Sequence, residues 1–455
     1  MEQVLQWALD MADLVWAWPL PLVLMLLSLY YLWLTRGFLF LRMGMVLRAT
    51  LGQLGSGKAA SQGTVTPLRA FLLSLGAMVG LGNVAGVATA ITMGGPGALF
   101  WMWVMGILAV NLNYGEVVLG LTFRVKSSVL GEYLCTRSHV YSGGVRPWVL
   151  GKVMALLSAY TIFLPPVGYL TQTQAVTGAL QVAGGWPEVW LAFIIGITLL
   201  LVVGGELKSI STVSQVLVAI MIFAYLGVAW YGILQLPGAW YEPFQLVMSH
   251  AFQPIAAVGG FAGVTLRQTI RYGLARGAFT CNAGTGAAMS SHAAADADHP
   301  ARQGMWGALE VLIDSLIICS TTGFLILASG EWTGGATAGQ LVAISFEKAL
   351  PGFGAIFAAL CSLAFGWTSM LGMYYTSSKN FTYLMGNHNP WVMGWTYLYR
   401  LAMFITILLA PTIRIDAIWA MQDLVTALHV LLNVVAMLLL GKLVAQKTRE
   451  FTRLY

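Results

Sequence analysis

Four carboxylates stand inside stretches that are otherwise apolar: Glu116, Glu310, Asp314 and Asp423. An ionisable side chain in such surroundings is costly and by default carries a function, as an ion or proton relay or as the partner of another buried polar group. Glu310 and Asp314 are four residues apart, so on a helix they face the same way, and both stay ionised only with a cation or an arginine between them. Thr368 and Ser369 offer two adjacent hydroxyls of the kind Na⁺ accepts, although hydroxyls in membrane helices often bond their own backbone instead. A different chemistry is written in GAMVGLGNVAGVATAITMGGPG, from Gly76 to Gly97. Its four glycines between Gly76 and Gly86 each cost roughly 1 kcal/mol relative to alanine within a helix, which predicts unwound backbone at Gly80, Leu81, Gly82 and Asn83. Unwound amides at the positive end of a half-helix suit a carboxylate, and the carbonyls just before them, from Gly76 to Val79, suit a hard cation.

These residues need a scaffold, and composition names its solvent. Of 455 residues, 58% are hydrophobic and only 9% charged, too few for the surface of a soluble protein of this size. Apolar runs of about twenty residues, the span of a helix across a bilayer, recur along the chain. They are continuous rather than alternating, which excludes a membrane β-barrel. The expected fold class is therefore an all-α polytopic membrane protein of about eleven transmembrane helices, near 14–34, 67–93, 97–123, 152–181, 189–204, 209–234, 251–270, 303–328, 354–378, 396–413 and 417–440. The first run follows Glu2, Asp10 and Asp13 and is too long for a signal-peptide core, so it reads as a retained helix.

Loop charges predict the orientation. Arg36, Arg42, Arg48 and Lys58, then Arg124, Lys126, Arg137, Arg146 and Lys152, then Lys208 fall in alternate loops, whereas the loops near 94–97, 182–188, 235–250 and 329–339 hold no Lys or Arg. The positive-inside rule then places the N-terminus outside and the tail with Lys442, Lys447, Arg449 and Arg453 in the cytoplasm. Lys348 and Arg414 fit this scheme poorly. The net charge of +6 reports this orientation and implies no nucleic-acid partner. Four widely spaced cysteines, Cys135, Cys281, Cys319 and Cys361, lack metal-ligand spacing and read as packing residues.

From Gly259 to Pro300 the sequence is too polar to face lipid, with Arg267, Arg271 and Arg276 followed by CNAGTGAAMSSHAAADADHP. Together with the Gly76–Gly86 stretch it predicts two interrupted helices, one near the start of each half of the bundle. Breaks in corresponding positions point to a secondary transporter with an inverted five-plus-five repeat and a midplane site. The expected organisation is an extra helix over 1–35, a cytoplasmic linker over 36–66, a core over 67–440 (repeats 67–235 and 250–440) and a tail over 441–455. GQLGSGKAASQGT within the linker lacks the strand and glycine spacing of a phosphate loop. A membrane-embedded metal enzyme built on His292, Asp296, Asp298 and His299 is the alternative from another class, and a loop leaving a helix is the simpler reading of those residues.

VGLGNVAGVATAITMGGPGALFWMWV resembles the signature of the alanine/glycine:cation symporters, bacterial sodium-coupled amino-acid carriers of the amino acid-polyamine-cation superfamily. GLARGAFTCNAGTGAAMSSHAAADADHPARQGMWG, GGELKSIS and TSMLGMYY resemble further segments of that family, and Glu116, Asp314, Asp423 and Asn433 have counterparts in it. The likeness spans about 67–440. It implies two inverted five-helix repeats rocking around a central site. Position by position, it puts the substrate pocket on Gly80, Leu81, Gly82, Asn83, Gln172, Phe279 and Met373, and a Na⁺ site on Gly76 and Val79 backbone with Thr368 and Ser369. Glu116, Asp314 and Asp423 are the coupling candidates. Three positions depart from the family: Leu81 replaces a threonine, Asn282 a glutamate and Met373 a tryptophan. The expected protein is no enzyme and needs no cofactor beyond co-transported Na⁺. It imports a small amino acid across the bacterial inner membrane, with a proton-coupled carrier or a non-transporting sensor as alternatives.

Overall fold

A computed structural model of the chain describes residues 2–53, 63–160, 167–253, 265–336, 338–386, 389 and 391–454. Helices α1 (Glu2–Ala17) and α2 (Pro19–Leu34) meet at Pro19, which tolerates a first-turn position because no amide is needed there. The expected linker carries the short helices α3 (Phe38–Leu41) and α4 (Met43–Ala49), anchored by buried Phe38, Leu39 and Val46; residues 54–62 lie outside the described residues. Then come α5 (Pro67–Met78), a π-helical turn over Gly82–Gly86, α6 (Val87–Gly94) and the long α7 (Ala98–Thr122). A two-stranded antiparallel hairpin, Val125–Lys126 against Tyr133–Leu134, leads into α8 (Arg137–Gly144). The first half closes with α9 (Trp148–Tyr160), α10 (Val167–Gly184), α11 (Glu188–Gly204) and α12 (Glu206–Gln235).

The second half begins with α13 (Tyr241–His250), α14 (Leu266–Thr280), α15 (Ala287–Ala293) and α16 (Pro300–Leu312). A π-helical turn over Ile313–Ile318 joins α16 to α17 (Cys319–Ser329). The chain ends with α18 (Ala338–Ala349), α19 (Gly354–Met385), α20 (Trp391–Leu409) and α21 (Ile415–Leu454).

Among the described residues seven helices are long and apolar enough to span a bilayer, and an eighth is the pair α5 and Gly82–Gly94, bent by 52° at its break. The expected span over 152–181 is divided between α9 and α10, and that over 189–204 is the shorter apolar helix α11. The expected span over 251–270 is described only at its ends. Most of it lies outside the described residues, and the helix that follows, α14, carries Arg267, Arg271 and Arg276. Each of the three lies over an aromatic ring, of Trp18, Tyr272 and Phe279 respectively. Lys348, a poor fit to the charge pattern, is paired with Glu331 at 2.6 Å.

Packing sorts the helices by their surroundings. The most apolar window of α7 is 83% buried, against 28% for that of α20, so α7 is a central post and α20 is peripheral. Small residues let neighbours approach α7: a side chain on Gly120 would begin 2.7 Å from the Met289 carbonyl of α15, and one on Gly277 of α14 3.0 Å from Met102 Cα. Gly120→Ala would raise helix propensity yet collide with backbone. It is expected to lower the detergent melting temperature, overpacking of this kind costing about 1–3 kcal/mol. Gly227→Ala, where nothing lies within 4 Å, should leave the temperature unchanged or raise it, and equal melts for the two variants would refute this packing.

Candidate functional site

The first break forms where α5 runs out of helical backbone. Val79 still donates to the Leu75 carbonyl at 2.7 Å but turns to φ −73°, ψ 92°. With no water in a bilayer core, the released groups must find partners inside the protein. Gly80 N donates to Asn83 Oδ1 at 3.3 Å and Leu81 N to Gln172 Oε1 of α10 at 3.4 Å, both long bonds to neutral carbonyls. A side chain on Gly80 would begin 3.0 Å from Ser369 Oγ and 3.2 Å from Gln172 Nε2, so only glycine lets α10 and α19 close on this turn. The chain then re-enters a helix through the π-turn, a form common at functional sites.

Behind the break, Asn83 Nδ2 donates to Asp314 Oδ1 at 2.6 Å and approaches Cys319 Sγ at 3.4 Å. The second Asp314 oxygen is buried and has no hydrogen-bond partner among the described residues. In front of it, Gly372 of α19 packs so tightly on α5 that its side chain would begin 2.2 Å from Ala77 Cβ. That approach brings Ser369 Oγ within 3.2 Å of the Ala77 carbonyl, to which it donates. Thr368 donates to its own helix, to Ala364 O at 2.9 Å and Phe365 O at 3.1 Å, and its Cβ lies 3.6 Å from where a Gly76 side chain would start. Gly76, Thr368 and Ser369 are thus brought together, with Val79 ending α5 one turn after Gly76.

Phe279, near the end of α14, lies 3.6 Å from where a Gly82 side chain would begin. Its ring is flanked by Trp16 of α1 at 6.3 Å and Trp419 of α21 at 6.2 Å. Neither tryptophan carried a recognisable signal in the sequence, because nothing local told α1 and α21 to converge on Phe279. Trp16 Nε1 also donates to the Asp423 carbonyl at 3.1 Å, which puts the coupling candidate Asp423 on the seam between α1 and α21. Met373 lies one turn beyond Ser369, and its Sδ comes 2.6 Å from where a Gly168 side chain would start, one turn from Gln172.

The second break, Cys281 to Gly286, is capped more strongly. Asn282, Gly284 and Gly286 take positive φ of 51°, 72° and 76°. Asparagine tolerates this better than most residues, which gives the Asn282 departure a local conformational reason. Glu116 Oε1 of α7 accepts both Gly286 N at 3.0 Å and Asn433 Nδ2 at 2.9 Å. Asn433 Nδ2 also donates to Gly284 O at 2.9 Å, and Arg137 Nη1 to Thr285 O at 2.8 Å. Glu116 therefore stands in this structure as the clamp of the second break.

Glu310 and Asp314 do not share one charge-balancing partner as their spacing suggested. α16 gives way to the π-turn at Ile313, and the two carboxylates serve different neighbours. Asp314 holds Asn83, whereas Glu310 accepts from Ser74, Asn113 and His292. His292, Asp296, Asp298 and His299 are not gathered. His292 points inward to Glu310, Asp298 pairs with Arg302 at 2.9 Å, and His299 caps α16 by accepting from Ala301 N at 3.1 Å. Among the described residues no group of three or more His, Cys, Asp or Glu is placed to hold a metal ion, and the four cysteines are free and buried.

A family model described as the sodium:alanine symporter family matches residues 1–454. The chain belongs to that family. Among its relatives are an uncharacterized transporter of Bacillus subtilis, 34% identical over 458 residues (99% of this chain, 94% of the relative), and the probable sodium/glutamine symporter GlnT of the same organism, 30% identical over 460 residues (100% and 92%). The sodium/alanine symporter AgcS of Methanococcus maripaludis is 29% identical over 403 residues (87% and 86%). A solved Na⁺-coupled sialic acid symporter superposes with a TM-score of 0.55 at 11% identity over 90% of this chain and 82% of that one, which shows the shared broken-helix fold. This family member is a transporter and no enzyme, of the cation-coupled amino-acid symporter kind.

The Glu116 clamp can be tested on stability alone. Glu116→Ala orphans two buried donors at about 1–3 kcal/mol each, whereas Glu116→Gln keeps a carbonyl acceptor. Thermal melts in detergent should rank wild type, Glu116→Gln and Glu116→Ala in falling order. Equal melts for the two variants would remove Glu116 from this role.

Proposed function

We propose that the protein imports a small zwitterionic amino acid together with Na⁺, binding both at the first break. The observation that carries this reading is the pair of long bonds capping the Gly80 and Leu81 amides from Asn83 Oδ1 and Gln172 Oε1. Two neutral carbonyls stand where the oxygens of a substrate carboxylate would act, and a carboxylate makes shorter, roughly twice stronger bonds to such amides. The exchange turns binding into a rearrangement of Asn83, and through Asn83 it reaches Asp314. Ser369 and the Ala77 carbonyl, with Gly76, Val79 and Thr368 beside them, supply oxygens for Na⁺. Both ligands order the same turn of backbone, so each raises the affinity of the other.

Phe279, Met373 and Leu81 form the wall that selects the side chain. Leu81 removes a hydroxyl and Met373 is a flexible surface that adapts to varied shapes. This supports a substrate larger than glycine, and the probable glutamine symporter among the relatives agrees with it. Loop charges support an external N-terminus and a cytoplasmic C-terminus in the bacterial inner membrane. The core over 67–440 would act as two repeats, 67–235 and 250–440, with 1–35 as an added helix.

A thermal-shift and radioligand screen of the purified protein against the twenty amino acids, in Na⁺ and in choline, tests the reading. Stabilisation that requires Na⁺ is expected. The double variant Leu81→Thr, Met373→Trp should shift preference toward alanine or glycine by about tenfold, about 1.4 kcal/mol. Binding equal in Na⁺ and choline would overturn Na⁺ coupling, and no binding of any amino acid would overturn the substrate class.

A further inference from the structure

The coupling candidates and the substrate residues leave one fully buried titratable pair unused. His292 of α15 and Glu310 of α16 are both 0% exposed, and His292 Nε2 lies 3.1 Å from Glu310 Oε2. Around them every donor is already spent. Gln303 Nε2 gives one hydrogen to His292 Nδ1 at 2.8 Å and the other to the Pro67 carbonyl at 3.4 Å. Asn113 Nδ2 gives its two to Gly307 O and Glu310 Oε1, and Ser74 Oγ donates to Glu310 Oε1 at 3.2 Å. An imidazole whose Nδ1 accepts from Gln303 carries its proton on Nε2 and donates it to Glu310. His292 is therefore neutral in this arrangement, and the pair holds one uncompensated negative charge.

One acceptor is in reserve. Gln303 Oε1 is buried and has no hydrogen-bond partner among the described residues. If the imidazole takes up a proton, Nδ1 becomes a donor facing the Gln303 amide. That amide must then turn over to present Oε1, and the turn removes Nε2 from Pro67. The orientation of Gln303 thus reports the proton.

Pro67 is the first residue of α5, and the bond it loses lies at a sensitive junction. Just before it, Thr64 N and Val65 N donate to Ala294 O at 2.8 and 3.1 Å, and Asp296 N donates to Val65 O at 2.7 Å. α5 precedes the first break and α15 follows the second, so this cluster ties together one half of each broken helix. The charged groups on neighbouring elements have other partners. Arg124, just after α7, donates to Ala293 O at 3.2 Å and Ala295 O at 2.7 Å beside His292, and Arg137 of α8 donates to Thr285 O. Arg69 of α5 binds Gln215, Arg302 of α16 binds Asp298, Lys379 of α19 pairs with Glu132, and Lys447 of α21 pairs with Glu450. The other buried carboxyl groups of this region, Glu116 of α7 and Asp314 of the π-turn, bind the second and the first break and supply no cation. Among the described residues no Lys or Arg is hydrogen-bonded to the pair, and a buried negative charge without a paired cation is what a proton would cancel.

We propose that His292, Glu310 and Gln303 form a proton-binding site, separate from the substrate and Na⁺ positions, whose occupation releases Gln303 from Pro67 and loosens α5 from α15 and α16. The proton balance is simple. One proton enters from solution, resides on the imidazole–carboxylate pair, changes its charge from −1 to neutral and leaves by the same groups, with no other bond made or broken. The functional consequence rests on the transport reading above; the site itself does not.

The test uses full-length protein in liposomes, with ring-¹⁵N histidine. Six histidines give a spectrum sparse enough for His292→Asn to identify its resonance. Between about pH 8 and about pH 5, the interval in which imidazoles titrate, the His292 signal should pass from the neutral Nε2–H form to a doubly protonated one, whereas a carboxylic C=O band absent in Glu310→Gln, appearing in the infrared with the His292 signal unchanged, would put the proton on the carboxylate and overturn the release of Gln303. If both signals stay constant over that interval, the proposal is overturned. A second arm measures Na⁺-dependent amino-acid binding at fixed Na⁺. Wild-type affinity should change severalfold across the same interval, while Gln303→Leu, which cannot turn over, should bind with a flat profile. A wild-type profile in Gln303→Leu would overturn the role of Gln303. Absence of any amino-acid binding would sink the transport reading while leaving the spectroscopic result to decide the proton site.

Discussion

An interrupted helix inside a bilayer exposes backbone amides and carbonyls where no water can reach them, and the rest of this structure is arranged to supply their partners. At the first break the partners are neutral side-chain carbonyls at 3.3 and 3.4 Å. At the second they are a carboxylate, an amide and a guanidinium at 2.8–3.0 Å. The difference divides the labour. A weakly capped break can exchange its partners for a ligand, and a strongly capped one keeps its shape as a wall of the site.

α7 makes both arrangements possible. Its burial lets Glu116 reach the second break and Asn113 reach Glu310 from a single post, while Gly120 of α7, Gly273 and Gly277 of α14, and Gly304 and Gly307 of α16 let α15, α14 and α16 approach it closely. Three buried carboxylates bind different elements of the broken helices: Asp314 the first break through Asn83, Glu116 the second directly, and Glu310 the junction between α5 and α15.

Much of this was legible in the chain. The glycines of Gly76–Gly86 announced the first break, because glycine at that density weakens a helix even in an apolar run, and Gln172, Phe279 and Ser369 do meet around it. The polar stretch after Arg276 announced a second irregularity but not its position, since Leu266 to Thr280 is helical, opened by a Thr265–Gln268 capping box and with its three arginines over aromatic rings. The spacing of Glu310 and Asp314 left a shared cation and helix-to-helix hydrogen bonding both open, and the contacts are hydrogen bonds to different neighbours, with a π-turn following α16. Trp16, Trp419 and Gln303 were invisible for a plainer reason: each acts through a partner on another element, and no local pattern encodes it.

The central claim is that the backbone from Val79 to Asn83 is provisionally capped and becomes ordered by substrate and Na⁺ together. Hydrogen–deuterium exchange of peptides covering this turn, in liposomes, measures it directly. Exchange is predicted to slow strongly with amino acid and Na⁺ present together, and only weakly with either alone. Exchange that is unchanged by both ligands, or slowed equally by one of them alone, would contradict the account.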